Sequence, residues 1–210
     1  MDIFFIHALV TLFVVIDPVG LLPIFGVLTA EGDDSYRRRM AIRAVVIASI
    51  VLVLFAFGGA DLLGIFGITM PAFRIAGGIL LFVTAFEMLF EFRTKRRSGH
   101  ARDTAEDHHP PEDVSAFPLA IPFMAGPGSI TSMILLMGVA GENTAKLGLL
   151  FGALGAVMAF SLALFLASNW VMRILGETVT TVVTRMLGLV LAALAVQYVI
   201  DGIRDVVTVT

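Results

Sequence analysis

The sequence predicts an all-helical membrane protein of six spans, arranged as two inverted three-helix repeats in which helices 1 and 4 are broken. Three observations predict it. Hydrophobic residues make up 58% of the 210, charged residues only 15%, and mean hydropathy is +0.96, an apolar share beyond that of soluble domains. Six apolar segments follow one another, over 3–28, 41–60, 71–90, 117–140, 147–171 and 179–203. Motifs of the first three segments return in order in the last three. The first repeat is read over 1–90, a charged loop over 91–115, and the second repeat over 116–210.

The first segment is long enough to cross a bilayer at roughly 20 residues per span, but its middle is interrupted. Pro18 has no amide hydrogen and clashes with the carbonyl of Val14, and Gly20 and Pro23 weaken the same turn. Asp17 stands beside them, although an acid at the bilayer centre costs about 2.5–3.5 kcal/mol on insertion scales. A break with an acid is how membrane proteins build a site. A proline-kinked helix whose Asp17 bonds a neighbouring helix explains the stretch equally well. His7 and Thr11 share a face of this span and read as a hydrogen-bonded pair rather than a proton relay. Asp2 replaces the basic start of a signal peptide and the apolar run outlasts a signal core, so none is expected.

The second segment is preceded by Arg37, Arg38 and Arg39 and has Arg43 at its start. The third carries Arg74 with Gly77-Gly78. The loop that follows holds five Lys/Arg, six acids, three His and two adjacent prolines, the composition of a solvated segment. Its His108 and His109, with Asp103, Glu106, Asp107, Glu112 and Asp113, could hold a metal, but a charged proline-bearing loop explains them without one.

The fourth segment runs from Phe117 through Pro118, Pro122, Gly126, Pro127, Gly128, Ser129 and Thr131. Three prolines and two glycines exclude one continuous helix. A half-helix can restart at Pro127, where a missing donor costs nothing, leaving the amides of Gly128, Ser129 and Ile130 pointing into the break. Val19, Gly20 and Leu21 would offer amides at the first break. Helix starts attract carboxylates, and Asp17 with carbonyls freed before Pro18 and Pro127 would suit an ammonium group or a cation. Ser129, Thr131 and Ser132 are the few other polar groups here, too few for a sugar. The two breaks also fit as hinges without a ligand.

In the fifth segment Gly152, Gly155 and Ala159 read as helix packing. The sixth carries Arg185 with Gly188, the counterpart of Arg74 with Gly77. Both arginines lie near the ends of their spans, fit for snorkelling or capping, or for a gating ion pair with Glu87 or Asp61. Three spans per half force the repeats to face opposite ways, and inverted repeats with matched breaks point to a secondary transporter.

Basic residues set the orientation. Arg37, Arg38, Arg39, Arg43, Arg93, Lys95, Arg96, Arg97, Arg102 and Arg173 fall on one side, against Lys146 and Arg204 on the other. Both termini are therefore expected outside and the loop 91–115 in the cytoplasm of a cell with this protein in its inner membrane. A net charge of −3 with no cysteine excludes disulfides and gives no reason to expect nucleic acid. The chain contains no P-loop, H-E-x-x-H or G-x-S-x-G, so neither ATP-driven pumping by this chain nor enzymatic activity is expected.

Ile16-Asp17-Pro18-Val19-Gly20 with Pro23-Ile24-Phe25, Arg74-Ile75-Ala76-Gly77-Gly78, Pro118 to Pro122 with Gly126-Pro127-Gly128, and Arg185-Met186 with Gly188 resemble the MarC-type family of bacterial and archaeal membrane proteins. The resemblance covers nearly the whole chain. It implies six spans and, by its SnatA-like archaeal members, transport of small neutral amino acids such as glycine and alanine; it does not imply drug efflux. It carries over to Asp17, Pro18, Gly20, Pro23, Pro122, Gly126, Pro127 and Gly128. Relatives often have Asn where this chain has Leu21, a departure that touches specificity.

The expected substrate-binding residues are thus Asp17, Pro18, Val19, Gly20, Gly126, Pro127, Gly128 and Ser129. Pro23, Pro122, Arg74 and Arg185 are the gating or structural set. No metal or cofactor is expected beyond a coupling H+ or Na+, and the partners are the lipid bilayer and a small neutral amino acid, with a homo-oligomer compatible. Two rival readings remain: a transporter or channel for another small solute or ion, and a membrane interaction protein acting through its loop.

Overall fold

Backbone amides and carbonyls in hydrocarbon must be satisfied within their own segment, which leaves helices as the form for apolar runs of this length. The computed structural model describes residues 2–90 and 113–209, and every regular element in them is helical. α1 (Ile3–Ile16) starts at Asp2, whose carboxylate accepts the Phe4 N–H at 2.8 Å. α2 is the short helix Leu22–Leu28, with Pro23 in its first turn. α3 (Asp34–Ile65) is capped by Asp33, which accepts the Tyr36 N–H at 2.7 Å. α4 (Met70–Leu89) is capped by Thr69 and has Pro71 in its first turn, where no donor is lost.

The second half begins with α5 (Ser115–Met124), a widened and irregular helix, and α6 (Pro127–Ala140), bent from it by 58°. Phe117 and Ile121 leave helical geometry for the extended region, as residues before proline tend to do. α7 (Thr144–Leu166) is capped by Asn143. α8 (Ser168–Val209) is interrupted at Gly176, whose φ of 65° suits a residue without a side chain.

Among the described residues, four helices are long and apolar enough to cross a membrane, or five when α5 and α6 count as one bent span. α1 has 14 residues, about 21 Å at the rise of a helix, short of a hydrocarbon core of about 30 Å. Two expected boundaries move. The second segment extends well beyond 41–60, because Asp33 offers a cap upstream. The fifth stops at Leu166 rather than 171, because the chain turns at Ala167 and becomes helical again from Ser168, where a loop was expected. Residues 91–112 lie outside the described residues, and with them most of the loop's candidate metal cluster.

Helices of one half pack against helices of the other. α1 lies on α7 as α5 lies on α3, and α2 lies on α8 as α6 lies on α4. One buried cluster joins α1, α3, α5 and α7 around Leu12, Leu52, Leu119 and Leu150. A second joins α1, α4, α6 and α8 around Val15, Leu81, Leu135 and Leu191. α4 and α8 approach at backbone distance. A Cβ on Gly78 would stand 2.8 Å from the Ala195 carbonyl, and one on Gly188 would stand 3.2 Å from the Ala85 carbonyl. The outer surfaces are apolar, with Leu54, Phe57, Trp170 and Leu189 more than half exposed, as a lipid-facing surface requires.

Candidate functional site at two helix breaks

α1 ends because Pro18 cannot donate and Asp17 adopts the left-handed conformation, φ 54° and ψ 61°, uncommon for a residue with a side chain. The Asp17 amide closes the last turn on the Phe13 carbonyl at 3.0 Å. Its carboxylate then accepts the Gly20 N–H at 3.1 Å, and its carbonyl accepts the Leu21 N–H at 3.1 Å. This corrects the expectation of free amides at Gly20 and Leu21: Asp17 has bound both. The half-helix therefore restarts at Leu22. Gly20 is indispensable to this turn, since a Cβ there would lie 2.1 Å from the Asp17 carboxylate. Asp17 is 1% exposed, Pro18 is buried and Val19 is half-buried. Leu21 is fully buried in the apolar core.

The second break follows its expected design more closely. Gly126 is the N-cap of α6 in extended conformation and brings no capping side chain. Pro127 opens the helix, and the Ile130 N–H bonds the Gly126 carbonyl at 3.0 Å. Ile130 was expected among the free amides and is not. Gly128 and Ser129 remain in the first turn, where amides have no partner within the helix. The Ser129 hydroxyl donates to the Met124 carbonyl at 2.8 Å, so the serine holds a carbonyl released by the break. A Cβ on Gly126 would stand 2.5 Å from the Pro122 carbonyl, which explains glycine at that cap and ties Pro122 to the bend.

The two breaks meet. A Cβ on Gly128 would lie 3.2 Å from Val15 of α1, 3.4 Å from Leu81 and 3.7 Å from the Thr84 hydroxyl of α4. Val15 is two residues from Asp17, so the end of α1 abuts the start of α6, with α4 as a third wall. Thr131 packs on Gly77, and the Ser132 hydroxyl is buried without a hydrogen-bond partner among the described residues. Thr84 was missed from the sequence, because nothing local relates it to a break 44 residues on.

Arg74 is ion-paired with Asp205 of α8 at 2.5 Å, a partner the sequence reading did not name; Asp61 is exposed on α3. Arg185 is exposed on α8, one turn before Gly188. The expected His7–Thr11 pair is replaced. The His7 ring stands edge-on to Tyr198 with centroids 6.2 Å apart, and the Thr11 hydroxyl has no hydrogen-bond partner among the described residues.

A cleft of about 390 Å³ lies between α1, α7 and α8, lined by Leu9, Val10, Phe13, Val14, Phe160 and other apolar side chains; it contains none of the expected site residues. No group of His, Cys, Asp and Glu fit to hold a metal occurs among the described residues.

The sequence pattern of MarC family integral membrane proteins matches residues 3–207. A UPF0056 membrane protein of Archaeoglobus fulgidus is 36% identical over 204 residues, covering 96% of this chain and 93% of its own. Another, from Methanocaldococcus jannaschii, is 36% identical and covers 97% and 89%. The UPF0056 membrane protein YhcE of Escherichia coli K12 is 34% identical and covers 93% and 89%. No solved structure matches the chain.

Proposed function

The chain belongs to the MarC family of integral membrane proteins, and from that premise we propose that it is a secondary transporter of small neutral amino acids, with its site where the breaks of α1 and α6 meet. The observation that supports this reading is the approach of Val15 to Gly128, which brings the end of α1, two residues before the buried Asp17, to a helix start whose cap has no side chain. The α6 start favours a carboxylate by its exposed amides and dipole, and Asp17 favours an ammonium group. The zwitterion's carboxylate has a single helix start to bind, because Asp17 occupies the amides of the first break. The close packing of Val15 and Leu81 on Gly128 leaves little room at the α6 start, which fits glycine or alanine better than a bulky side chain.

The reciprocal packing of Gly78 on Ala195 and Gly188 on Ala85 supports the inverted repeat. It aligns Gly188 with Gly78 rather than Gly77, one residue from the register that the arginines suggest. α1 with α2 would form the first, broken span, and α5 with α6 the fourth. The inner membrane, termini outside and the loop 91–115 in the cytoplasm complete the proposal, with H+ or Na+ as the coupling ion and no enzymatic step.

Counterflow tests it. Proteoliposomes are loaded with millimolar unlabelled alanine and uptake of labelled alanine and glycine is followed, with Asp17→Asn beside the wild type. Asparagine keeps an oxygen for the Gly20 N–H but loses the charge. Accumulation by the wild type, reduced at least tenfold in the variant, is the expected outcome. No accumulation by folded wild-type protein removes the amino-acid substrate.

A further inference from the structure

Several buried serines and threonines in these helices return their hydroxyls to their own backbone. Thr29, Ser161 and Thr180 donate to the carbonyl four residues earlier, at 2.7, 2.8 and 3.0 Å, which is how a hydroxyl inside a helix is commonly satisfied. Thr11 of α1 and Ser132 of α6 do not. Both are fully buried, and neither hydroxyl has a hydrogen-bond partner among the described residues. The hydroxyl of Tyr198 on α8, a residue 5% exposed, is a third group of this kind. Buried polar atoms without partners are uncommon, and each calls for an explanation.

The three belong to one layer. α1 runs beside α7 in the same direction, since Lys146 lies over the Phe4 ring and Phe160 meets Phe13. α7 follows α6 after a turn over residues 141–143, and so short a connection makes the two antiparallel. α1 is therefore antiparallel to α6. From the approach of Val15 to Gly128, one turn back along α1 and one turn on along α6 lead to Thr11 and Ser132. Tyr198 closes the layer from α8: its ring is edge-on to His7, one turn before Thr11, and it shares a buried cluster with Val15 and Leu135. α4 brings only Gly77 and Gly78 to this level, where Thr131 packs on the first and Val199 on the second. One turn nearer the start of α4 stands Arg74, whose Nε is buried and unpaired while its Nη1 holds Asp205. Unpaired polar groups thus follow one another from the breaks towards the face where α1 and α4 begin and α6 and α8 end. The Thr184 hydroxyl, also unpaired, lies 14 residues from Tyr198 along α8, about 21 Å at the rise of a helix, and is outside the layer.

The opposite face has no such layer at the matching positions. With the halves aligned on Pro18 and Pro127, Thr11 falls opposite Ala120 and Ser132 opposite Pro23. With Gly78 aligned on Gly188, Tyr198 falls opposite Met88. The hydroxyls are a property of one side of the molecule.

We propose that Thr11, Ser132 and Tyr198 line a hydrated route between the helix breaks and this face, with Arg74 at its far end. Hydroxyls both donate and accept, so water bridging them satisfies each. The same groups suit a small zwitterion in passage: they meet its carboxylate and its ammonium in turn, and without a fixed charge they hold neither, as a path that must release its solute requires. That the route carries the transported solute rests on the transporter reading; that the layer is reached by water does not.

The chain contains no cysteine, so a single introduced thiol reports its own surroundings. Thr11→Cys and Ser132→Cys are prepared in nanodiscs beside Ala48→Cys, a fully buried position of α3 in the apolar cluster. Each is treated with 2-sulfonatoethyl methanethiosulfonate, a water-soluble anion that reacts with thiolates. A thiol in apolar packing stays inert, so modification at both layer positions at least about a hundredfold faster than at Ala48→Cys is expected. Hydroxyl-radical footprinting of the wild type needs no variant: Tyr198 should be oxidised and Phe165, 1% exposed in the apolar cluster, protected. Either cysteine variant folded yet as slow as Ala48→Cys, or Tyr198 as protected as Phe165, overturns the route. Alanine counterflow on the same protein separates the two ideas. A reactive layer without counterflow keeps the hydrated route and removes the amino-acid transporter, whereas counterflow with an inert layer removes the route alone.

Discussion

Gly20 and Asp17 form one unit at the scale of single residues. The carboxylate that bonds the Gly20 amide occupies the space where any side chain at position 20 would start. Gly20→Ala is therefore expected to destabilise the protein by about 1–3 kcal/mol, as overpacking of a buried position does, read as a lower thermal midpoint in detergent. Asp17→Asn keeps the acceptor and should leave that midpoint nearly unchanged, so the pair separates the shape of the turn from its charge. The sequence made the break at Asp17-Pro18 legible because proline's missing donor is a local property. It did not reveal that Asp17 caps the break itself, since that needs a left-handed residue with a side chain, which local preferences disfavour. Pro127 as a first helical residue was legible for the same local reason. The Arg74–Asp205 pair joins residues 131 positions apart, and only the antiparallel register of α4 and α8 brings them together.

Among the elements, α5 is the least regular, and its start is tied to α3 by charge. Arg43 pairs with Asp113 at 2.5 Å, and the Ser115 hydroxyl and amide both donate to the same carboxylate. The Ser115 hydroxyl is the main cause that holds the Asp113 carboxyl below its ordinary 3.8; burial opposes it as the next largest effect, and the Ser115 amide and Arg43 add to the lowering. A lowered carboxyl pKa stabilises the folded state above the ordinary value, and that contribution is lost as pH falls through the lowered one. Exchange at the amides of 114–118 should therefore be slow at neutral pH and accelerate once the medium is more acidic than the ordinary aspartate range. Asp113→Asn should show the faster exchange at neutral pH already, while α7 stays protected in both. Equal exchange in variant and wild type at neutral pH would mean that the prolines alone hold α5 in place. The irregularity of α5 was legible from Pro118 and Pro122, each of which constrains the residue before it; the clamp was not, because Arg43 and Asp113 lie 70 positions apart.

For the whole molecule, the glycine seam between α4 and α8 carries the most weight. Gly78 and Gly188 meet backbone atoms of the opposite helix in matching fashion, so Gly78→Ala and Gly188→Ala should lower the thermal midpoint by similar amounts, each about 1–3 kcal/mol of stability. A large effect at one glycine and none at the other would break the match between the halves. The order of apolar segments was legible in the sequence, whereas the Arg-x-x-Gly motif matches Gly188 to Gly77 and the packing matches it to Gly78, because arginine at a span end answers to the membrane surface and glycine answers to its neighbour. Backbone-to-backbone contact also makes α4 and α8 a single stiff strut. The strut meets α1 and α6 through Val14, Val15, Leu81, Leu135 and Leu191, aliphatic side chains gathered in one buried cluster. Such a contact has no hydrogen bond to break and no ridge of charge to climb. It is a bearing, and the end of α1 that carries Asp17 is the part mounted on it.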